Sequence, residues 1–224
     1  IGGIALNSAK LMTWMVAAAV GVGLAPTAMA ATATITPEAV NATDAAAVVT
    51  SRSTGAAVLR AQILLDRARF SPGEIDAAYG SNMRRAIAGF QASDGIEATG
   101  NIDAATWAAL DRDTAPALVS YTLSAEDVAG PFNKMPSDMM EKSKLPALGY
   151  ASSLEALAEK FHASPPLLQK LNPGKDFTRS GEEIVAPSVD SSTPMPAVAK
   201  VVVDRSEFTV SLLDAADKVV AQYP

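Results

Sequence analysis

The chain has 224 residues, 49% of them hydrophobic, 19% charged and 5% aromatic, which describes folded protein with small aliphatic cores. Its formal net charge of -6 and pI near 4.8 exclude a nucleic-acid-binding role, which needs clustered Lys and Arg. With no Cys and a single His, His162, there is no disulfide, no thiol nucleophile and no His-pair zinc site.

In chain order, Lys10 precedes an uncharged apolar run from Leu11 to Leu24, followed by Pro26 and the small-x-small pattern Ala28-Met29-Ala30. The run is shorter than the roughly 20 residues a membrane helix needs. Residues 1–30 therefore read as a secretory signal peptide cleaved after Ala30, with only transient membrane contact, and the mature chain is expected in the periplasm or cell envelope. Residues 31–55, rich in Ala and Thr and broken by Pro37, Ser51, Ser53 and Gly55, read as a linker.

From residue 56, Val58, Ala61, Leu65 and Ala68 recur at helical spacing, with Arg60, Asp66 and Arg67 expected to face away from the core. Phe70-Ser71-Pro72-Gly73 ends this helix. Met83, Ala86, Ile87 and Phe90 define a second helix, and a short third one starts at the N-cap Asp103 with Trp107 and Leu110 inward. Residues 111–147 form a connecting segment that supports only a short helix near Ser137–Lys144. Ser152 and Glu155 have capping-box spacing ahead of Leu154, Leu157, Ala158 and Phe161. Ser164 and Pro165 start another short helix carrying Leu167, Leu168 and Leu171, and Gly181–Pro187 supplies a strand. Residues 188–197 are a Ser/Pro linker. Val201-Val202-Val203, then alternating Phe208, Val210 and Leu212, then Val219-Val220 leading to Tyr223, read as β structure turning at Asp214–Lys218.

Residues 56–110 resemble the peptidoglycan-binding domain of bacterial wall hydrolases and L,D-transpeptidases. The resemblance rests on Val58-Leu59-x-x-Gln62-x-x-Leu65, Ile75-Asp76-x-x-Tyr79-Gly80, Ala86-Ile87-x-x-Phe90-Gln91, Gly95-Ile96, Thr99-Gly100 and Asp103-x-x-Thr106-Trp107-x-x-Leu110. Ala77 stands where the family usually has Gly, and Met83 where it often has Thr. The resemblance implies peptidoglycan, its glycan strands and stem peptides, as the partner. Such a polymer is met by exposed hydrogen-bonding groups and a flat apolar platform, and Tyr79, Arg84 and Gln91 are the candidate peptidoglycan-binding residues. Their structural alternatives are a turn-packing Tyr, a solvated helix Arg and a buried Gln that satisfies loop backbone.

Residues 148–187 resemble a LysM module, a small β-α-α-β fold that binds N-acetylglucosamine-containing glycans. The match is Leu154-x-x-Leu157-Ala158-x-x-Phe161, Leu167-Leu168-x-x-Leu171-Asn172-Pro173 and Gly181-x-x-Ile184-Val185-x-Pro187. Where the family has its first strand and turn, the chain has Gly149-Tyr150-Ala151-Ser152-Ser153. His162, between the two helices, reads as a lone surface His without chemistry. Residues 198–224, through Val203-Asp204, Asp214–Lys218 and Tyr223-Pro224, are similar to the opening strands of the L,D-transpeptidase catalytic domain.

The expected fold class is thus multidomain α+β: a three-helix peptidoglycan-binding domain, a β-α-α-β LysM-like module and an incomplete C-terminal β-hairpin region. The order of modules implies the N-terminal part of an exported L,D-transpeptidase involved in cell-wall cross-linking. That family uses a Cys thiolate with a partner His, and this chain has no Cys, so no catalytic residue is assigned and the chain itself is expected to be inactive. A non-catalytic wall-binding protein and the targeting region of a peptidoglycan hydrolase are the alternatives. No cofactor or metal is expected. Glu182-Glu183 reads as a solvated strand entry rather than an acid/base couple.

Overall fold

The computed structural model describes residues 35–42, 47–145, 147–191 and 193–224; the expected signal peptide lies outside them. Seven helices and two small antiparallel sheets occur among these residues, a mixed α+β architecture. Among them, no helix is long and apolar enough to cross a membrane.

The three predicted helices of the first module form as α2 (Ala56–Arg67), α3 (Ser81–Ser93) and α4 (Ala104–Leu110). Asp103 caps α4 as its spacing predicted, accepting from Thr106 N at 2.9 Å. Val58, Ala61, Leu65, Met83, Ile87, Phe90, Trp107 and Leu110 make one core. Trp107 is buried within it and donates its indole N–H to Ala47 O at 2.6 Å.

That last bond reaches into the segment read as a linker. In its described parts, α1 (Pro37–Asn41) forms with Thr36 as N-cap and Val40 buried, and Val49 bridges to Ile102. Short apolar side chains spaced among alanines give little periodicity, yet Ile35, Val40 and Val49 each find a place in a core, while Val48 stays exposed.

The helix α2 departs from its predicted amphipathic form. Leu59 and Ile63 on its other side enter a second core with Leu118, Leu123, Leu157, Leu168 and Ile184. Arg60 and Arg67, expected to be solvated, are about 95% buried. Arg60 pairs with Asp111 at 2.7 Å and reaches Val40 O and Asn41 O at 3.4 Å. Arg67 lies 2.8 Å from Asp113 and donates to Ala115 O and Pro116 O at 3.0 Å. A buried guanidinium needs such partners to offset its lost hydration; the terminal nitrogens find them, while the Nε of Arg60 and of Arg67 has no hydrogen-bond partner among the described residues.

The second core belongs to a β-α-α-β unit with a boundary different from the expected 148–187. Helices α6 (Ser153–Lys160) and α7 (Pro165–Leu171) and strand β2 (Glu183–Pro187) stand where the pattern placed them, with Ser152 and Ser164 as N-caps. The partner of β2, however, is β1 (Leu118–Thr122), antiparallel from Leu118↔Pro187 to Thr122↔Glu183. Gly149–Ser153 forms no strand. The excursion between β1 and α6 holds a 3-10 turn at Glu126–Val128 and α5 (Met139–Ser143), the short helix expected near 137–144. It is anchored by Asp127, which accepts from Lys160 Nζ, the Tyr121 hydroxyl and Ser124 N, each at 2.8 Å.

His162 is not a lone residue. Its Nδ1 is 2.8 Å from the partly buried Asp66 carboxylate on α2, its C=O accepts from Ile75 N, and Ser164 N donates to Ile75 O. These bonds join the second unit to the loop after α2. Glu182 is held by Lys175 at 2.9 Å and Arg179 at 2.6 Å, which suits a structural ion cluster.

The C-terminal strands β3 (Lys200–Asp204), β4 (Thr209–Leu213) and β5 (Val219–Tyr223) form one antiparallel sheet. Phe208, predicted to alternate with the strand, instead turns out at φ +53 and is 74% exposed. Strand β5 docks on the first module: Gln222 N donates to Arg69 O and Ser71 N to Gln222 O, both at 2.8 Å. Ser93 Oγ donates to Val219 O at 2.8 Å, and Arg85 pairs with Glu207 at 3.0 Å. Gly89 permits this approach, since a Cβ there would meet the Gln222 side chain and come within 3.2 Å of Phe70.

Because α2 belongs to both cores, Leu59→Ala should lower the stability of the whole chain by about 2–5 kcal/mol in a single cooperative transition. Urea melts followed by Trp107 fluorescence and by circular dichroism check it. Two separated transitions, with Trp107 unaffected, would show the modules to be independent.

Burial alone raises the Asp127 carboxyl, but bonds from Lys160, the Ser124 amide and hydroxyl and Tyr121 bring it from an ordinary 3.8 down to about 2. A depressed carboxyl contributes stability above its unfolded value and loses it as pH falls through its folded one. Wild type should therefore lose on the order of 1–2 kcal/mol between pH 5 and pH 2 that Asp127→Asn lacks at both. Paired denaturation curves at the two pH values measure the difference.

Candidate functional site

The three candidate residues converge on one turn. Gly100, at φ +73, lies between α3 and α4, and its N–H donates to Gln91 Oε1 at 2.9 Å. The Tyr79 hydroxyl donates to Gly100 O. A Cβ on Gly100 would sit 2.8 Å from Arg84 Cγ, so the aliphatic stem of Arg84 covers the turn. The left-handed φ and this contact together account for glycine here.

Each residue plays a different part. Gln91 has no exposed surface; its Nε2 donates to Asn101 O at 2.7 Å and Thr106 Oγ1 at 2.9 Å. Its amide stands in for backbone partners that the 99–101 loop lacks, the structural alternative foreseen for a Gln at this position. Tyr79 is half-buried, and burial raises its phenol above the ordinary range while nearby Arg84 opposes the shift. Arg84 is exposed. The surface available to a polymer is therefore the Arg84 head and the rim of Tyr79, with Gln91 behind them.

Tyr79 also borders a cavity of about 260 Å³ with Gln62, Glu74, Asp76, Ser81 and Asn82. Gln62 holds its floor as Gln91 holds the Gly100 turn. Its Oε1 accepts from Ala77 N at 2.8 Å, and its Nε2 donates to Asp76 Oδ1 at 2.8 Å and Ala78 O at 3.1 Å. Ala77 sits at φ +64, which explains why Gly is the usual residue there and makes Ala a strained substitute. Sequence reading did not select Glu74, Asp76, Ser81 and Asn82; their clustering within nine residues of a polar turn was the available signal. Among the described residues, no group of three or more His, Asp or Glu is arranged to hold a metal.

Residues 54–110 match the family described as "Putative peptidoglycan binding domain". These residues are a peptidoglycan-binding module. Its matched span begins at the bridge between Thr54 and Ala78 and ends with the last residue of α4. A search of curated proteins finds no match to the chain.

Gln91→Ala should cost about 1–3 kcal/mol, because Gly100 N–H and Asn101 C=O lose a buried partner. Arg84→Ala should change stability by less than about 0.5 kcal/mol. Thermal melts of the two variants separate the buried anchor from the surface residue, and equal losses would place Arg84 in the packing instead.

Proposed function

We propose that this chain is the peptidoglycan-binding N-terminal region of an exported L,D-transpeptidase involved in cell-wall cross-linking. The observation that carries the wall-binding part is the peptidoglycan-binding module at residues 54–110. Its contacts are the exposed Arg84 and Tyr79 held over Gly100, with Gln91 fixing the loop from behind. With five Arg against six acids in 56–110, the module is nearly charge-balanced, which favours hydrogen bonds and stacking over bulk electrostatics.

The transpeptidase part rests on module order and on the C-terminal strands that resemble the start of that catalytic domain. A LysM-like identity for the β-α-α-β unit is supported by its strand–helix–helix–strand order and antiparallel pairing. The thiolate nucleophile is not among these 224 residues, so in this reading the chemistry belongs to residues outside them. Export through residues 1–30 and a place in the periplasm or cell envelope complete the proposal.

Purified chain should co-sediment with insoluble peptidoglycan sacculi with modest salt dependence, and Arg84→Ala should reduce retention several-fold without unfolding the protein. Binding abolished by moderate salt, or unchanged in both Arg84→Ala and Tyr79→Ala, would refute this surface. The coding sequence after Pro224 tests the enzyme assignment. A Cys with a partner His in a β domain supports it, whereas a stop codon supports a non-catalytic wall-binding protein and a metal-ligand motif a hydrolase.

A further inference from the structure

The Ser/Pro stretch expected as a free linker instead lies against the peptidoglycan-binding module. Arg67 Nη1 is 3.4 Å from Ser188 O, and Arg69 Nη1 donates to Thr193 Oγ1 at 3.2 Å. Between this stretch and the helices is a cavity of about 460 Å³, within the range of small-ligand sites. Its floor is Leu64, Phe90 and Leu110 of the module core. Ala68 and Ala109 keep it open, since each contributes only a methyl group.

The rim carries charges of both signs: Arg67, Arg112 and Asp113 line the cavity. Arg67 is locked by Asp113 and backbone carbonyls. Arg112 is different: its partner, Asp94, is a surface carboxylate 2.5 Å away, and their side chains are 62% and 29% exposed. Exposed pairs of this kind contribute little, so exchanging one carboxylate for another costs little. Thr114, Ser191 and Thr193 add hydroxyl groups able to donate or accept.

We propose that this cavity binds a short peptide of small aliphatic residues by its free C-terminal carboxylate. The methyl side chains lie on the Leu64–Phe90–Leu110 floor, the carboxylate replaces Asp94 at Arg112, and the hydroxyls meet the peptide backbone. The choice of a peptide rests on the wall-binding reading, in which peptidoglycan and its stem peptides are the partner; the preference for small aliphatic residues rests on the apolar floor. The site is separate from the Tyr79–Arg84 surface, so one module would meet the polymer at two places.

The test uses the whole chain and N-acetyl-tetra-alanine, ending in either L- or D-alanine, as free acid and as C-terminal amide. Calorimetry and methyl NMR are the readouts. The acid should shift the Leu64 and Leu110 methyl signals and bind about tenfold more tightly than the amide. Arg112→Gln should erase that preference, Asp94→Asn should enlarge it by freeing Arg112, and Ala109→Leu should block binding by filling the cavity. Equal affinity of acid and amide, or no response at Leu64 and Leu110, overturns the assignment. Retention on sacculi without peptide binding refutes the cavity and leaves wall binding standing. Peptide binding without sacculus retention supports the cavity and refutes wall binding.

Discussion

Everything in the described part of this protein is arranged around the burial of α2 on both sides. One side of that helix closes the core of the peptidoglycan-binding module through Val58, Ala61 and Leu65, and the other enters the β-α-α-β core through Leu59 and Ile63. A helix enclosed this way has nowhere to leave a cation in water. Arg60 and Arg67, one at each end of a two-turn interval, therefore gather carbonyls and Asp partners from α1, the segment after α4 and the Ser/Pro stretch. Removing a guanidinium's partner in such a setting costs more than the pair itself contributes, because the charge is left buried. The two arginines thus fix where three connecting segments must run.

The candidate surface depends on the same economy of buried polar groups. Two glutamines, Gln62 and Gln91, each satisfy a loop that has no strand or helix to pair with. One holds the 76–78 turn beside the cavity near Tyr79, and the other holds the Gly100 turn under Arg84. Loops placed by buried amides keep a defined shape while their outer side stays open to a ligand. That is the arrangement expected of a module that reads a polymer by hydrogen bonds and stacking rather than by charge.

The C-terminal sheet is attached to the module through backbone, not merely tethered to it. Strand β5 exchanges bonds with Arg69 and Ser71 and lies close to α3 at Gly89. Whatever the sheet does, its direction relative to the module of residues 54–110 is set by these contacts.

Local chemistry was legible in the sequence because it needs only neighbours a few residues apart. Helical periodicity located α3, α4, α6 and α7, and side-chain oxygens at fixed offsets marked Asp103, Ser152 and Ser164 as caps. The motif residues Tyr79, Arg84 and Gln91 were visible too, although not that they meet at Gly100. What only tertiary structure decided is pairing across long separations. Leu118–Thr122 became the partner of β2, more than sixty residues away, in place of the nearer Gly149–Ser153: Leu118 is buried in the core of Leu157, Phe161 and Leu168, and the partly buried Tyr121 packs against it. The spacing of Arg60 and Arg67 on α2 reads as a solvated face in any sequence. Whether water or a second core covers that face depends on residues up to 121 positions distant, which no local pattern records.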